Sequence, residues 1–399
     1  MLNGAALRTC IANGIAAIAS RAPVRLPPVR PRDRRLDLVR GVALICIFID
    51  HLPGNFFSRF TLHAYGFIDA ADVFVFVAGI SAGIAYWATF VQKGWMAGLK
   101  RVGRRVLQIY GTHLFLIVAC GLIIWLAATA SGDLAMRYGT PYTAVDADLP
   151  GTVWHALTLQ FQPIYLNILP VYVVLLAALP LVLLLARVHP LLALFVSLGV
   201  WMLPRTTGID LPSAQHTHGW YFNPLSWQLV FTLGVLWGQR WRLGLPTPRS
   251  AVLLALAAAY CAFALLAMAP WSKIPALSSW HILPHDWMGS VEKERLSPLR
   301  LVNVLALAYL TVMLVPASAR WLESRPARIA QTLGRNSLTV FAVGALADMA
   351  GWIAWETGAR SVARQAVAIV AGTALMIAAS SLRARQQQPL RPPATAHAA

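Results

Sequence analysis

Charge is what this sequence has least of. Only 12% of its 399 residues are Asp, Glu, Lys or Arg, where a soluble domain carries about 25%. With 58% hydrophobic residues, that shortage excludes a water-soluble fold and a disordered chain. Cysteine is scarce as well. Cys10, Cys46, Cys120 and Cys261 stand far apart, three of them inside apolar runs, so they make no disulfide framework and read as small core hydrophobes. The sequence has no phosphate-binding glycine loop, no Cys/His metal cluster and no nucleophile-elbow serine. The pairs His216/His218 and His281/His285 are weak metal signals, and no metal is expected. No internal repeat is visible, which counts against an inverted-repeat transporter. Acidic residues are few, 15 against 33 Lys and Arg, for a net charge of +18. In a soluble protein that balance points to nucleic acid. In an apolar chain it points to cytoplasmic loops, which collect Lys and Arg, so no nucleic-acid partner is expected.

What is present is a series of apolar runs. Segments at roughly 36–53, 67–91, 106–130, 164–186, 190–204, 225–240, 250–270, 299–318, 334–353 and 362–382 suit a hydrocarbon core of ~30 Å. The expected fold is all-α, a polytopic membrane protein of about ten transmembrane helices in one bundle. Residues 154–161 suggest a short interfacial helix. With the N-terminus inside and the spans alternating, the inside segments hold 22 Lys and Arg and the outside segments 8. That asymmetry predicts an N-in/C-in topology. A basic tail over 1–32, a membrane domain over 33–385 and a second tail over 386–399 follow. The lipid bilayer is then the first partner. The long outside loops carry Asp133, Asp146 and Asp148, then His216, His218, Trp220 and Tyr221, then Trp271, Trp280, His281, His285, Asp286 and Trp287. Interfacial belt and sugar-binding surface are both open readings of these aromatics.

Several ionisable residues stand where a membrane makes them costly. Asp37 and Arg40, three apart, share a face of the first span. They read equally as a capping pair or as a polar floor for an anionic ligand. Asp50 and His51 lie some 20 Å further along the axis. A histidine beside a carboxylate at that depth is a candidate general base; the plainer reading is a helix end at the headgroups, broken by Pro53-Gly54. Asp69 and Asp72 open the second span at the same outer depth, making a cluster suited to a proton relay, a cation site or a catalytic pocket. Ala78, Gly79, Ser81, Ala82 and Gly83 then permit close packing on a neighbouring helix. Lys93, Lys100, Arg101, Arg104 and Arg105 precede the third span, as topogenic charge or as a phosphate clamp. His113, in the third span, reads as a core or a pocket residue.

The stretch Arg35-Leu-Asp37-Leu-Val-Arg40-Gly41, continued by Asp50-His51-Leu-Pro-Gly54-Asn55 and by Gly66-Phe-Ile-Asp69-Ala-Ala-Asp72-Val-Phe-Val-Phe-Val-Ala-Gly79, resembles the OpgC family of membrane acyltransferases. Further matching runs are Pro163-Ile-Tyr165-Leu-Asn167-Ile-Leu-Pro170-Val-Tyr172, Trp220-Tyr-Phe-Asn223-Pro224-Leu-Ser-Trp227-Gln228, Leu296-Ser-Pro298-Leu-Arg300 and Gly334-Arg-Asn-Ser337-Leu. They extend from about residue 33 to 345. Asp72 and Ala78 stand where the family often has Glu and Ser. The wider group resembles ten-span enzymes of the acyltransferase-three type.

The resemblance implies an O-acyltransferase of the bacterial inner membrane. Its named member succinylates osmoregulated periplasmic glucans. No permanently bound cofactor is implied. An acyl-CoA, succinyl-CoA by the resemblance, is the co-substrate, and a periplasmic glucan or another glycan is the acceptor. Arg34, Arg35, Arg101, Arg104 and Arg105 are the expected CoA-phosphate contacts, and Arg40 is a contact for the acyl carboxylate or a partner of Asp37. His51 is the expected base or acylated nucleophile, with Asp50, Asp69 or Asp72 as its carboxylate. Asn55, Tyr165, Asn167, Trp220, Tyr221, Asn223, Trp227 and Gln228 are the expected glycan contacts. A proton-coupled transporter or flippase using the Asp/His cluster is the rival reading.

Overall fold

In the computed structural model, residues 32–132, 140–163, 165–268, 291–356 and 361–387 are described, with the isolated positions 27, 276, 283 and 358. Asp133, Trp271, Trp280, His281, His285, Asp286 and Trp287 lie outside them. Among the described residues every regular element is helical. The helices are α1 (Arg34–His51), α2 (Ala70–Lys93), α3 (Trp95–Ser131), α4 (Thr143–Ala147), α5 (Leu149–Leu157), α6 (Ile168–Val188), α7 (Pro190–Thr207), α8 (Pro224–Arg242), α9 (Ala251–Met268), α10 (Pro298–Leu314), α11 (Arg325–Arg335), α12 (Ser337–Glu356) and α13 (Val362–Gln386). Each apolar run of the sequence overlaps a helix, the 334–353 run taking in the end of α11 and most of α12. Seven, namely α2, α3, α6, α7, α9, α12 and α13, are long and apolar enough to cross a membrane. Their outward faces are greasy: Val118 on α3, Val252 on α9 and Val370 on α13 are each 68–69% exposed. Such surfaces belong in lipid.

Three details differ from the sequence reading. Lys100, Arg101, Arg104 and Arg105, expected to precede the third span, lie inside a helix. That helix is α3, whose 37 residues span about 55 Å, well beyond a ~30 Å core. The interfacial helix expected at 154–161 starts earlier, as α5. The short helix α11 was not anticipated. It buries Ala327, Ala330, Leu333 and Gly334 on one face, and that face packs along α1.

Two glycine seams set how closely the helices approach. A Cβ on Gly79 of α2 would lie 2.2 Å from the Phe231 carbonyl oxygen, and one on Gly234 of α8 2.3 Å from that of Phe76. Helices α2 and α8 can therefore touch backbone to backbone, the small-residue mode of membrane packing. A Cβ on Gly334 would likewise meet the Asp37 carbonyl oxygen at 1.9 Å, which sets α11 directly against α1. These two seams fix α1 and α2, the helices that carry the ionisable residues.

Candidate active site

Helix α1 ends at His51 because Leu52-Pro53-Gly54 leaves helical geometry, Gly54 with φ +59°. Asn55 closes that end. Its amide donates to the carbonyls of Ile49 and Leu52, both at 2.7 Å, and its oxygen accepts from Ser58 N at 2.8 Å. Terminal carbonyls left without partners are thereby satisfied. Asn55 is buried and its amide group is engaged in this cap.

His51 is thereby presented to α12. Its Nδ1 lies 3.2 Å from Oδ2 of Asp348, whose side chain is 2% exposed. The Tyr165 ring stacks on the imidazole, with centroids 4.5 Å apart and an interplanar angle of 26°. Tyr165 holds φ at +72°, a left-handed conformation that costs a non-glycine residue ~1–3 kcal/mol. A carboxylate at Nδ1 keeps the proton on that nitrogen and leaves Nε2 as the acceptor. Oδ1 of Asp348 is buried with no hydrogen-bond partner among the described residues.

The three carboxylates expected around His51 have other partners. Asp50 accepts from the Thr61 hydroxyl and lies 3.1 Å from His63 Nδ1. Asp69 caps α2: its carboxylate accepts from Ala71 N at 2.8 Å, and Asp72 accepts from Asp69 N at 2.9 Å. This is a reciprocal capping box, the local reason that Asp-x-x-Asp opens the helix. Asp72 is fully buried, and Arg300 from α10 grips both its oxygens. Arg300 also reaches Asp69 at 3.1 Å, and Lys293 reaches Asp69 at 2.6 Å. Lys293 is held in turn. Its carbonyl accepts from the Trp227 indole at 3.1 Å, and its ammonium lies over the rings of Tyr221 and Phe222. Burial disfavours the Lys293 charge, but Asp69 outweighs it and the pKa is raised. Lys293 and Asp69 lie close enough to act electrostatically on both His51 and His63.

The expected glycan strip divides. Trp220 and Asn223 are buried, and Trp227 is 0% exposed. Asn223 caps α8, and Trp220 donates to the Pro212 carbonyl at 2.9 Å. Gln228 is bound to Ser197 of α7. These four hold loops and helices together, and a buried indole leaves no face for a sugar ring. Tyr165, Asn167 and Tyr221 keep partial exposure.

At the opposite end of α1, Asp37 is 2% exposed. It pairs with Arg32 at 2.6 Å and Arg335 at 3.2 Å. Arg40, expected as one partner of Asp37, turns away. It donates to the Ser81 hydroxyl and to the carbonyls of Val77 at 3.3 Å and Gly334 at 3.5 Å. Among the described residues it meets no carboxylate within ion-pair distance. Arg35 binds Asp33 at 2.7 Å and the Val315 carbonyl at 2.7 Å, and Arg34 binds Glu323 at 2.9 Å. Both are therefore engaged. Arg101 lies over the Tyr86 ring and donates to Thr89 and to the Ala85 carbonyl. Arg105 donates to Gln108 at 2.7 Å, while Arg104 is exposed with no partner among the described residues. Arg40, Arg105, Tyr86 and Tyr172 are near enough to interact electrostatically. The 11-residue separation of Arg40 and His51 corresponds to about 16 Å along α1. His113 is fully buried in α3.

Asp348, Lys293, His63 and Arg300 are the residues that sequence reasoning missed as parts of the site. Asp348 did leave a signal: a lone carboxylate inside the apolar run 334–353, where ionisable groups are costly and usually functional.

A family model described as OpgC protein matches residues 32–388. No curated protein matches the chain. The matched span contains α1 through α13, His51, Asp348 and the basic residues at the far end of α1. This chain is a member of the OpgC family, and that membership suggests a membrane acyltransferase.

Proposed function

We propose that the protein is an integral-membrane O-acyltransferase that moves an acyl group from acyl-CoA to a glycan hydroxyl, with His51 as general base. The observation that carries this reading is the His51–Asp348 contact at 3.2 Å through Nδ1, with Nε2 unpartnered among the described residues. The His51 side chain is 25% exposed, enough for a substrate to reach it.

The donor enters from the end of the bundle that carries Arg40 on α1 and Arg101, Arg104 and Arg105 on α3. Guanidinium groups bind phosphate well, and Arg104 has its donors free for the CoA phosphates. About 16 Å of helix separates Arg40 from His51, a length that a pantetheine arm covers. The acceptor hydroxyl approaches from the other side. His51 Nε2 takes its proton as the hydroxyl oxygen attacks the thioester carbon. The tetrahedral intermediate collapses, the C–S bond breaks, and the CoA thiolate takes the proton back from the imidazolium. No net proton is released. Asp348 orients the ring and balances the charge of the transient imidazolium.

With α1, α8 and α10 read as spans beside the seven apolar helices, the chain crosses the bacterial inner membrane ten times, N-in and C-in. His51 then faces the periplasm and the basic end faces the cytoplasm, where acyl-CoA is made. Succinyl-CoA as donor and a periplasmic glucan as acceptor fit the OpgC family and the ten-span acyltransferase-three arrangement. The proton-pathway alternative loses ground because Asp69 and Asp72 are already neutralised by Lys293 and Arg300.

The test is mass spectrometry of periplasmic glucans from a deletion strain carrying the wild-type chain or His51→Ala. A succinyl-sized increment with the wild type alone supports the reading. An increment of another mass changes the donor but keeps the transferase. No increment, in cells that make glucan and express the protein, removes the glucan as acceptor.

A further inference from the structure

Helix α10 packs along α9, but its ties to α1 and α2 lie mainly at its ends. At one end Arg300 grips Asp72, and Asn303 accepts from Phe67 N at 3.0 Å. At the other, Arg35 of α1 donates to the Val315 carbonyl at 2.7 Å. Between these ties α10 stands away from α1 and α2, leaving a groove of about 760 Å³. That volume falls within the ~300–1,000 Å³ typical of small-ligand sites. Val39, Phe76, Ile80 and Ala308 line its length. Along α10 it runs from Val304 to Met313, about 14 Å, or half of a ~30 Å hydrocarbon core. This is the depth of one fatty-acyl chain. The groove lies in the apolar part of the bundle and uses no residue of the His51 site.

Its rim has a sign. At the end near the start of α1, the groove meets Trp241 and Arg249. Arg249 is exposed and has no partner among the described residues. Arg35, also on the rim, is neutralised by Asp33. The free charge is thus one guanidinium beside an indole, at the end of an apolar slot one acyl chain deep. A second apolar hollow, about 510 Å³ between α3 and α5, has no cation in its lining. A guanidinium matches phosphate by paired hydrogen bonds, and Trp favours the headgroup level of a membrane.

We propose that this groove is a binding site for one anionic glycerophospholipid, with a fatty-acyl tail between α2 and α10 and its phosphate at Arg249. The lipid fills the side of α10 that faces α1 and α2.

The experiment uses the full-length chain reconstituted in phosphatidylethanolamine vesicles with phosphatidylglycerol as the minority lipid. The protein is re-extracted, washed exhaustively in detergent, and its retained lipid identified by mass spectrometry. About one phosphatidylglycerol per chain is expected, enriched over its share of the vesicle. Ala308→Trp fills the groove and loses that lipid. Thr311→Trp, one turn away, does the same and serves if the first variant does not fold. Val370→Trp, on the outer face of α13, retains it. Arg249→Gln keeps a lipid but loses the enrichment in phosphatidylglycerol. The proposal is overturned if the wild type retains no lipid, if its lipid mirrors the vesicle composition, or if both groove-filling variants keep it. Recovery of acyl-CoA in place of phospholipid, or a dimer that persists with the groove lipid-free, also overturns it. The readout is lipid retention, so failure of acyl transfer would leave it unaffected.

Discussion

His51 and Asp348 meet at 3.2 Å across 297 positions of sequence, one at the end of α1 and the other inside α12. If Asp348 orients the imidazole, Asp348→Asn lowers kcat by about 10²–10⁴-fold with little change in either KM. His51→Ala abolishes transfer while the protein still inserts. Steady-state kinetics on purified protein decide it. An Asp348→Asn variant within twofold of wild type would sink the dyad.

Tyr165 stacks on His51 through its ring, so the hydroxyl is dispensable to that contact. Tyr165→Phe keeps kcat within a few-fold. Tyr165→Ala removes a ring pair worth ~0.5–1.5 kcal/mol and frees the imidazole to rotate, lowering kcat about tenfold or more. Equal losses in both variants would make the phenol itself the functional group and refute the stacking role.

Asp72 is a structural anchor on this geometry. Asp72→Ala leaves Arg300 without its main partner, and breaking a buried pair costs about 3–5 kcal/mol. Thermal unfolding in detergent should register the loss as a lower Tm and a poorer yield. Normal stability with abolished turnover would return Asp72 to a direct role in the chemistry.

His63 has its pKa raised above the ordinary 6.5, chiefly by its hydrogen bond to Asp50, with burial opposing. A group whose folded pKa is raised stabilises the fold fully below its unfolded pKa and loses that contribution as pH rises through the folded value. The loop over 56–65 should therefore be better protected at pH 6 than at pH 8. Hydrogen exchange across that loop is the measurement, with His63→Gln abolishing the difference. A loop that becomes better protected as pH rises contradicts the pairing.

The basic residues on α3 predict a separation of kinetic constants. Arg105 lies near Arg40, and Arg104 is solvent-exposed. Neutralising both raises the acyl-CoA KM about tenfold, the effect of losing one charge-assisted contact of ~1.5–3 kcal/mol, and leaves the acceptor KM alone. An unchanged donor KM would reduce the pair to topogenic charge.

Much of the architecture was legible in the residues. Apolar runs of membrane length can do little else but form helices, because lipid offers no partner for a bare backbone. His51 stood out as an ionisable group beside a carboxylate near the end of an apolar run, with a catalytic base and a helix end at the headgroups both open. Gly79 and Gly83 announced a close helix contact, though not that the contact would be α8. The reciprocal cap of Asp69 and Asp72 rests on a local three-residue spacing at a helix start, although in the sequence the pair read as a proton relay, a cation site or a catalytic pocket.

Which polar group meets which was decided by the fold alone. A hydrophobic pattern says which face of a helix is greasy, but not how far the helix is rotated or what packs against it. Asp50 and His51 are sequence neighbours, yet successive residues on a helix point about 100° apart, so one turns to His63 and the other to Asp348. Asp37 and Arg40 share a face by spacing, yet Arg32 and Arg335 take the carboxylate while α2 takes the guanidinium. Trp227 and Asn223 read as sugar contacts because the sequence carries no record of burial, and the bundle closes over them. Sequence alone therefore determined that this chain is a helical membrane protein with ionisable residues at two depths. The carboxylate beside His51, the cations that neutralise Asp69 and Asp72, and the groove beside α10 come from long-range packing, because residues from distant helices must meet before any of them exists.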